Sequence, residues 1–210
     1  MFQNEELEED SNEIKVILVG EPGTGKTSLI NVSIGQEFKE ESNSTLSSTF
    51  VQKKYKKDGK EYNVNIWDTA GQEKYRSLTK IFIKDSKIVI FVYSIDSKPS
   101  FEGIKTYWVD TIKEALGDEP ILGMVGNKID LFMNEEVKES EAKEFAKTTG
   151  IEFELVTAKE NPKGFIEFLN KLLDKYLDRN DIGSKRKSIL INKDDNTTEA
   201  EDKKGCCGQK

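Results

Sequence analysis

Short apolar runs alternate with longer amphipathic segments along most of the chain. Three of the runs have the length of strands buried on both faces of a parallel sheet, and they read IKVILVG, KIVIFVYSI and PILGMVGN. A further run, IEFELVTA, predicts the last strand. Between the first two runs, TFVQKKYKKDGKEYNVNIW alternates about Asp58 and Gly59, the strongest short signal for a hairpin. The pattern predicts a mostly parallel six-stranded sheet with one antiparallel strand at its edge.

Amphipathic segments separate these strands. KTSLINVSIG predicts a helix closed by Gly35, a second helix is expected from Pro99 to about Leu116, and EVKESEAKEFAKTTG predicts a third, capped by Gly150. The last segment, PKGFIEFLNKLLDKYLDR, carries apolar residues along one side. Strands that alternate with helices predict an α/β fold of three layers, in which a doubly wound sheet lies between two layers of helices.

Both ends of the chain differ from this pattern. Residues 1–13 hold six acids and no base, a composition that predicts a disordered acidic tail. Residues 14–179 form the predicted domain, and residues 180–210 are polar without periodicity, which predicts a flexible C-terminal tail. No stretch approaches the roughly 20 apolar residues of a membrane-spanning helix, and the N-terminus lacks the features of a signal peptide. We therefore expect a protein made and kept in the cytosol.

Composition excludes several classes of function. The chain has 39 acidic and 32 basic residues, a net charge of -7, and this field repels nucleic acid. It has no histidine, which excludes serine-histidine triads, cysteine-histidine pairs and histidine metal sites. Cys206 and Cys207 are adjacent near the end of the chain, where a disulfide would constrain nothing. Catalysis must therefore rest on carboxylates, lysine, backbone amides or a bound ion.

The candidate chemistry begins with GEPGTGKT, which follows the first predicted strand and opens the first predicted helix. In that context the G-x-x-x-x-G-K-T pattern predicts a phosphate-binding loop, or P-loop. Backbone amides and the N-terminus of the helix would face the phosphates, Lys26 would add a positive charge, and the Thr27 hydroxyl would bind Mg²⁺. The residues expected at the phosphates are Pro22, Gly23, Thr24, Gly25, Lys26, Thr27 and Ser28.

The loop alone leaves the nucleotide open, because PGTGKT also resembles the loop of AAA-type ATPases. Those proteins need an apolar strand that ends in adjacent acids, whereas the candidate strand here ends in Asp96 and Ser97. They also need a second helical domain, for which this chain is too short. The ATPase stays a second hypothesis at this point.

A second motif, VGNKID, stands at the end of a predicted buried strand, where doubly wound folds bind ligands. The carboxylate of Asp130 would accept two hydrogen bonds from guanine, whereas adenine offers no such pair of donors and would leave the carboxylate unsatisfied. The stem of Lys128 would cover one face of the base, and Asn127 would join neighbouring loops. The motif indicates guanine.

Five motifs in this order resemble those of the small GTPases over residues 14–178. They are GEPGTGKT, Thr45, WDTAGQE, GNKID and VTAKE. The resemblance implies a small G-protein fold that binds GTP or GDP, with Mg²⁺ held by Thr27 and Thr45 and, through water, by Asp68. It also implies nucleotide contacts from Phe38, Thr45, Gly71, Asn127, Lys128, Asp130, Thr157, Ala158 and Lys159.

The same resemblance implies a switch. The γ-phosphate would hold the loops around Thr45 and Gly71, and its loss on hydrolysis would release them, while Gln72 would orient the attacking water. No arginine lies between Gly35 and Thr45, so we expect slow intrinsic hydrolysis and an activating protein that supplies the missing charge. A GTP-bound scaffold that never hydrolyses is the alternative, and the presence of Gln72 and Thr45 argues against it.

Within the small GTPases the chain is most similar to the Rab proteins. KYRSLTKIFIKDS resembles the Rab pattern, and Phe50, Trp67 and Phe82 match three aromatic residues that Rabs present to effectors. CCGQK resembles a double geranylgeranylation site at Cys206 and Cys207, which implies attachment to the cytosolic face of an intracellular membrane.

The Rab resemblance further implies a monomeric switch in vesicle-mediated trafficking, with effectors, an exchange factor and an activating protein as partners. STLSSTF departs from the Ile-Gly that many Rabs carry after the threonine, so the subfamily stays open. A Ras- or Rho-type signalling GTPase is the alternative.

Pro22 lacks the backbone N–H that most residues of a P-loop offer. The amides expected at the β-phosphate begin at Gly23, so the missing donor costs binding little. The proline ring should lie near the γ-phosphate, where Gln72 and a partner's arginine must fit. We therefore expect Pro22 to tune hydrolysis rather than binding.

Overall fold

A six-stranded sheet forms the centre of the molecule. The computed structural model describes residues 12–40, 49–69 and 81–194. The strands are β1 (Glu13–Val19), β2 (Thr49–Lys57), β3 (Lys60–Asp68), β4 (Ile88–Ser94), β5 (Ile121–Asn127) and β6 (Glu152–Leu155). They lie in the order β2-β3-β1-β4-β5-β6. The strand β4 is buried along its whole length, which explains why its sequence is continuously apolar rather than alternating.

One pair of strands is antiparallel. β2 pairs with β3 through a turn at Asp58 and Gly59, which have φ of 50° and 77°. Two successive residues with positive φ are what a type I′ hairpin turn requires, and Asp-Gly adopts it readily. The pairs β1–β3, β1–β4, β4–β5 and β5–β6 are parallel. The predicted mostly parallel sheet with an antiparallel edge strand is confirmed.

The helices are α1 (Lys26–Ser33), α2 (Lys98–Gly103), α3 (Val109–Leu116), α4 (Glu139–Thr149) and α5 (Pro162–Asp194). As predicted, α4 ends at Gly150, which adopts a left-handed conformation. Between α2 and α3 the chain forms a π-helical turn, Ile104–Trp108. The helix predicted from Pro99 to Leu116 is therefore continuous but contains one turn of wider pitch, which the apolar pattern does not predict.

The helices cover both faces of the sheet. α1 and α5 place Leu29 and Leu169 in one apolar cluster, against β1, β3 and β4. On the other face α2, α3 and α4 place Phe101, Ile112 and Ala146 in a second cluster. These two cores give the three layers that the alternation of strands and helices predicts.

The last helix is longer than its apolar stripe. We expected it to end near Arg179 and the polar residues beyond it to form a flexible tail, but α5 continues to Asp194. Packing against the sheet reaches Leu177, so the apolar stripe marks only the packed part. Residues 180–194 contain no proline, and a helix that is already nucleated grows at little cost. The helix end predicted at residue 179 is therefore wrong.

Polar contacts join the far end of the hairpin to α5. The Tyr55 hydroxyl donates to Asp174 Oδ1 over 2.8 Å, and Lys57 Nζ lies 2.6 Å from Asp178 Oδ1. Burial, and then the bond to Asp174, raise the pKa of Tyr55 to about 12. The edge of the sheet is thus fixed to the last helix by side chains as well as by the core. Within the described ranges, no helix combines the length and the apolar character needed to cross a membrane.

Candidate nucleotide site

The P-loop runs from the end of β1 into α1, at the edge of the sheet where the parallel strands end. Gly25 precedes α1 with φ of 89°, and a Cβ atom there would lie 2.3 Å from Asn127 Nδ2. Asn127 ends β5, and its Nδ2 donates to the Thr24 carbonyl over 2.8 Å. Only glycine fits between the loop and this asparagine. The side chain of Asn127 thus joins the end of β5 to the P-loop.

Lys26 points into the loop that precedes it. Its Nζ donates to the carbonyls of Gly20 and Glu21, with 2.9 Å between the atoms in each case. The side chain is buried, which lowers the pKa of Lys26 to about 8, although Asp68 and Glu21 oppose this shift. A buried ammonium is further stabilised by an anion, so Lys26 fits a phosphate ligand.

Two of the residues predicted to hold Mg²⁺, Thr27 and Asp68, contact each other beside Lys26. The Thr27 hydroxyl donates to Asp68 Oδ2 over 2.7 Å, so the first turn of α1 meets the end of β3. The next residue, Thr69, is held by a 2.7 Å bond from its hydroxyl to the Leu18 carbonyl. Mg²⁺ is bound by one or two protein oxygens together with phosphates and water, and it needs no larger carboxylate cluster. A hydroxyl and a carboxylate side by side therefore fit this ion.

The residues predicted to contact the base lie at the ends of β5 and β6. Asp130 Oδ1 accepts a hydrogen bond from the Thr157 hydroxyl over 2.5 Å, and Thr157 Oγ1 in turn accepts from the Lys159 amide over 3.1 Å. Lys128 has a left-handed backbone with φ of 66°, which turns the chain sharply between Asn127 and Asp130. Within the described ranges, the buried Oδ1 atom of Asn127 has no hydrogen-bond partner. The hydrogen-bonded pair of Asp130 and Thr157 and the unsatisfied oxygen of Asn127 thus all lie at this edge of the sheet.

An ion pair crosses from the base side to the segment that follows α1. Lys159 Nζ lies 2.8 Å from Glu40 Oε1, and the pair raises the pKa of Lys159 and lowers that of Glu40. Both side chains are largely exposed, so the pair adds little stability. Phe38, two residues earlier, is half-buried against the cluster of α1 and α5. Ala158 is buried beside Lys159.

The three predicted effector aromatics form one row. Phe50 and Trp67 are directly opposite each other in the β2–β3 register, and their ring centroids lie 5.0 Å apart. Phe82 follows at 6.1 Å from Trp67, and Lys15 Nζ lies 4.8 Å from the centroid of the Trp67 ring. Phe50 is 52% exposed. The structure therefore brings these residues together on the surface beside the strand that carries Asp68.

Several predicted site residues lie outside the described residues. They are Thr45, Gly71, Gln72, Cys206 and Cys207. Of the P-loop residues, Pro22 and Gly23 are exposed and Ser28 lies in the first turn of α1. Sequence reasoning missed Glu21, whose carboxylate contacts Trp108, and Glu40, which contacts Lys159. No local pattern could predict either contact, because each joins residues far apart in the chain.

Known proteins resemble this chain along most of its length. The family model described as Ras family matches residues 15–177. Ras-related protein Rab-21 of Geodia cydonium is 39% identical over 166 residues, which cover 79% of this chain and 72% of the relative. Rab-21 of Mus musculus is 34% identical over 205 residues, or 92% of this chain and 90% of the relative. Ras-related protein YPTC6 of Chlamydomonas reinhardtii is 32% identical over 206 residues, or 92% and 94%.

Proposed function

Because this chain belongs to the Ras family of GTPases, and within it to the Rab proteins, we propose that the P-loop and the Asp130 loop bind opposite ends of one guanine nucleotide. The chain hydrolyses GTP to GDP and serves as a Rab-type switch in intracellular membrane trafficking. The observation that carries the proposal is the bond from Asn127 to the Thr24 carbonyl. It fixes the loop of Lys26 and the base-reading loop relative to each other, as one bound molecule requires.

The residues at the phosphate end of the site neutralise the charge of the phosphates and form no covalent bond with them. Lys26 neutralises the β- and γ-phosphates, and Thr27, Thr45 and Asp68 are the proposed ligands of Mg²⁺, directly or through water. When bound, Mg²⁺ would stabilise the negative charge that develops on the phosphate oxygens during the reaction. Positioning and electrostatics supply most of the catalysis in phosphoryl transfer. Thr27 and Asp68 are joined by a hydrogen bond, so these two proposed ligands already lie side by side.

Two further residues complete the proposed switch. Gln72 orients the attacking water, and the amide of Gly71 contacts the γ-phosphate together with Thr45. When the γ-phosphate leaves, both loops lose a ligand, and the surface beside them changes. The proposed effector surface consists of Phe50, Trp67 and Phe82. One of its residues, Trp67, immediately precedes Asp68 in β3. Effectors would thus read a surface joined directly to the metal site.

We place the GTP-binding domain at residues 14–179, after an acidic N-terminal tail and before a C-terminal connection to the membrane. Cys206 and Cys207 are the proposed sites of geranylgeranylation. Two chains satisfy the requirement that stable anchoring takes more than one signal. A monomer attached in this way works with effectors, an exchange factor and an activating protein at the cytosolic face of an intracellular membrane.

Replacing both cysteines with serine is expected to move the protein from the membrane fraction to the soluble fraction of its own cells. Cys206→Ser alone should leave weaker, reversible binding, because stable anchoring takes two signals and a single myristoyl chain, for comparison, gives a partition constant of only about 10⁴ M⁻¹. Fractionation followed by mass spectrometry of the C-terminal peptide measures both distribution and lipid. Thr198→Ala in the same tail is the control. Membrane binding that survives in the double variant would contradict the anchor.

Pro22→Gly is expected to raise the activator-stimulated rate of GTP hydrolysis about tenfold, a change of 1.4 kcal/mol in the barrier. Pro22 is exposed at the mouth of the P-loop, so its removal opens space for Gln72 and a partner's arginine. GTP affinity should stay nearly constant, since Pro22 offers no N–H to the phosphates. Single-turnover hydrolysis measures the rate, with Pro99→Gly at another exposed proline as control. The assignment would be refuted if Pro22→Gly left both the intrinsic and the activator-stimulated rate equal to those of the wild-type protein.

A further inference from the structure

A contact between the P-loop and the helical layer is not used in the function described above. Glu21, the second residue of the loop, accepts a hydrogen bond at its Oε1 from the indole Nε1 of Trp108 over 3.3 Å. Trp108 is the last residue of the π-helical turn and is 3% exposed. The two residues are 87 positions apart in the chain. The bond therefore ties the loop to a different layer of the fold.

Gly103, the last residue of α2, leaves the space that the Glu21 side chain occupies. A Cβ atom on Gly103 would lie 2.9 Å from Glu21 Oε1 and 3.1 Å from its Cγ. Gly103 has ordinary helical angles, with φ of -58°, so its backbone conformation does not demand glycine. Glycine is a poor helix former, and the close approach of Glu21 is the feature of this position that requires it.

The π-helical turn places Gly103 and Trp108 on the same side of the helix. In an α-helix, residues five apart are rotated by about 500°, or roughly 140° beyond a full turn, so they point in different directions. Here the Val109 amide donates to the Ile104 carbonyl, five residues back, and the wider turn reduces that difference. Both residues then contact one carboxylate. The wider pitch of this turn thus fits the position of the Glu21 side chain.

Glu21 also determines where Lys26 lies. The Glu21 carbonyl accepts from Lys26 Nζ and from the Thr24 hydroxyl, each over 2.9 Å. The side chain of Glu21 faces the helix while its carbonyl faces the loop interior. One residue thus carries both the contact with the helix and the acceptor of the lysine, so the two contacts share a backbone segment.

We propose that Glu21 is a positioning residue of the nucleotide site, held against the π-helical turn by Gly103 and Trp108, and that it transmits the packing of this helix to Lys26. The inference rests on the proposed binding of phosphates by the P-loop. A change that displaces the carboxylate loosens the loop and speeds release of the nucleotide. In the other direction, the bound nucleotide alters the surroundings of the Trp108 indole.

The first test is the rate at which the full chain releases GDP. Glu21→Ala and Trp108→Phe should each raise it about tenfold, which corresponds to 1.4 kcal/mol, close to one hydrogen bond to a charged group. Glu21→Gln keeps an acceptor for the indole N–H and should restore release to near the wild-type rate. Glu102→Ala, which removes a neighbouring carboxylate on α2, is the matched control and should leave the rate unchanged.

Gly103→Ala separates positioning from general packing. In the wild-type background its methyl group displaces Glu21, so GDP release should accelerate about as much as in Glu21→Ala. In the Glu21→Ala background the three atoms nearest to that methyl group are gone. There it should leave GDP release unchanged and raise the melting temperature by about 2–4 °C, since alanine favours the helix. Additive effects of the two substitutions on release would contradict the proposal.

Fluorescence supplies a readout that does not depend on turnover. Trp67 and Trp108 are the tryptophans of the chain, so Trp67→Phe leaves emission from Trp108 alone. That emission should differ between the GDP-loaded and GTP-loaded protein, and the difference should disappear in Glu21→Ala. If GDP binds tightly while neither emission nor release responds to Glu21, the inference is overturned and the proposed function stands. If the wild-type chain binds neither GDP nor GTP, the proposed function fails and the inference fails with it.

Discussion

An activating protein that supplies an arginine is expected to accelerate GTP hydrolysis by this chain about 10³- to 10⁵-fold. The chain has three arginines, Arg76, Arg179 and Arg186. Arg179 donates to the Glu119 carbonyl, before β5 begins, at the end of the sheet opposite the P-loop. None of the three lies in the segment between Gly35 and Thr45, where G-protein α subunits carry theirs. We therefore expect Lys26 to supply positive charge at the γ-phosphate and a partner to supply a further charge.

Single-turnover hydrolysis of the GTP-loaded chain measures this effect, with and without a purified Rab-directed activating protein. The matched control is the same activating protein with its arginine replaced by alanine, which should lose most of the acceleration. The chain alone should hydrolyse well below the rate of about 10⁻² s⁻¹ typical of G-proteins with an arginine in cis. Hydrolysis by the chain alone at that rate would contradict the prediction.

Asp130→Asn is expected to lower GTP affinity by about 10²- to 10⁴-fold and to raise affinity for XTP. Guanine presents two N–H donors to a carboxylate, and each hydrogen bond to a charged group is worth about 1.5–3 kcal/mol. An asparagine amide offers one donor and one acceptor, which match the C2 carbonyl and N1–H of xanthine. The Thr157 hydroxyl, 2.5 Å from Asp130 Oδ1, holds the side chain in place for either base.

Competition among GTP, XTP and ATP for the purified protein measures the change in preference. Asp118→Asn, at an exposed aspartate near the opposite end of the sheet, makes the same chemical change and should leave all three affinities unaltered. ATP should compete weakly against GTP in the wild-type protein. Unchanged GTP affinity in Asp130→Asn would show that another group reads the base.

Much of the fold follows from local sequence because its determinants are local. The turn at Asp58 and Gly59 needs two residues that tolerate positive φ, and the chain offers such a pair between two alternating runs. Strand β4 is apolar throughout because both of its faces are covered. The placement of Asn127 and Asp130 is also local, since Asn127 ends a buried strand and Asp130 follows it after a sharp turn at Lys128.

The remaining features depend on partners that are distant in sequence. The π-helical turn lies within a segment that local propensity assigns simply to a helix, and its wider pitch matches a glutamate from the P-loop. The pair of Lys159 and Glu40 joins residues 119 positions apart. The end predicted for α5 is wrong for a related reason. The apolar stripe reports packing on the sheet, and the helix continues beyond its packed part.

The contacts between the hairpin and α5 have a mechanical consequence. A protein anchored through its last residues is pulled from one end, and α5 is the element that first receives the load. Leu177 is the last buried residue among the side chains of that helix that the structure describes, and Asp178 and Asp174 hold Lys57 and Tyr55 of the hairpin. A pulling force would therefore strain the hairpin before it reaches the P-loop. At its other end the same hairpin carries Phe50 and Trp67, so we expect tension on the proposed anchor to act on the proposed effector surface rather than on the nucleotide site.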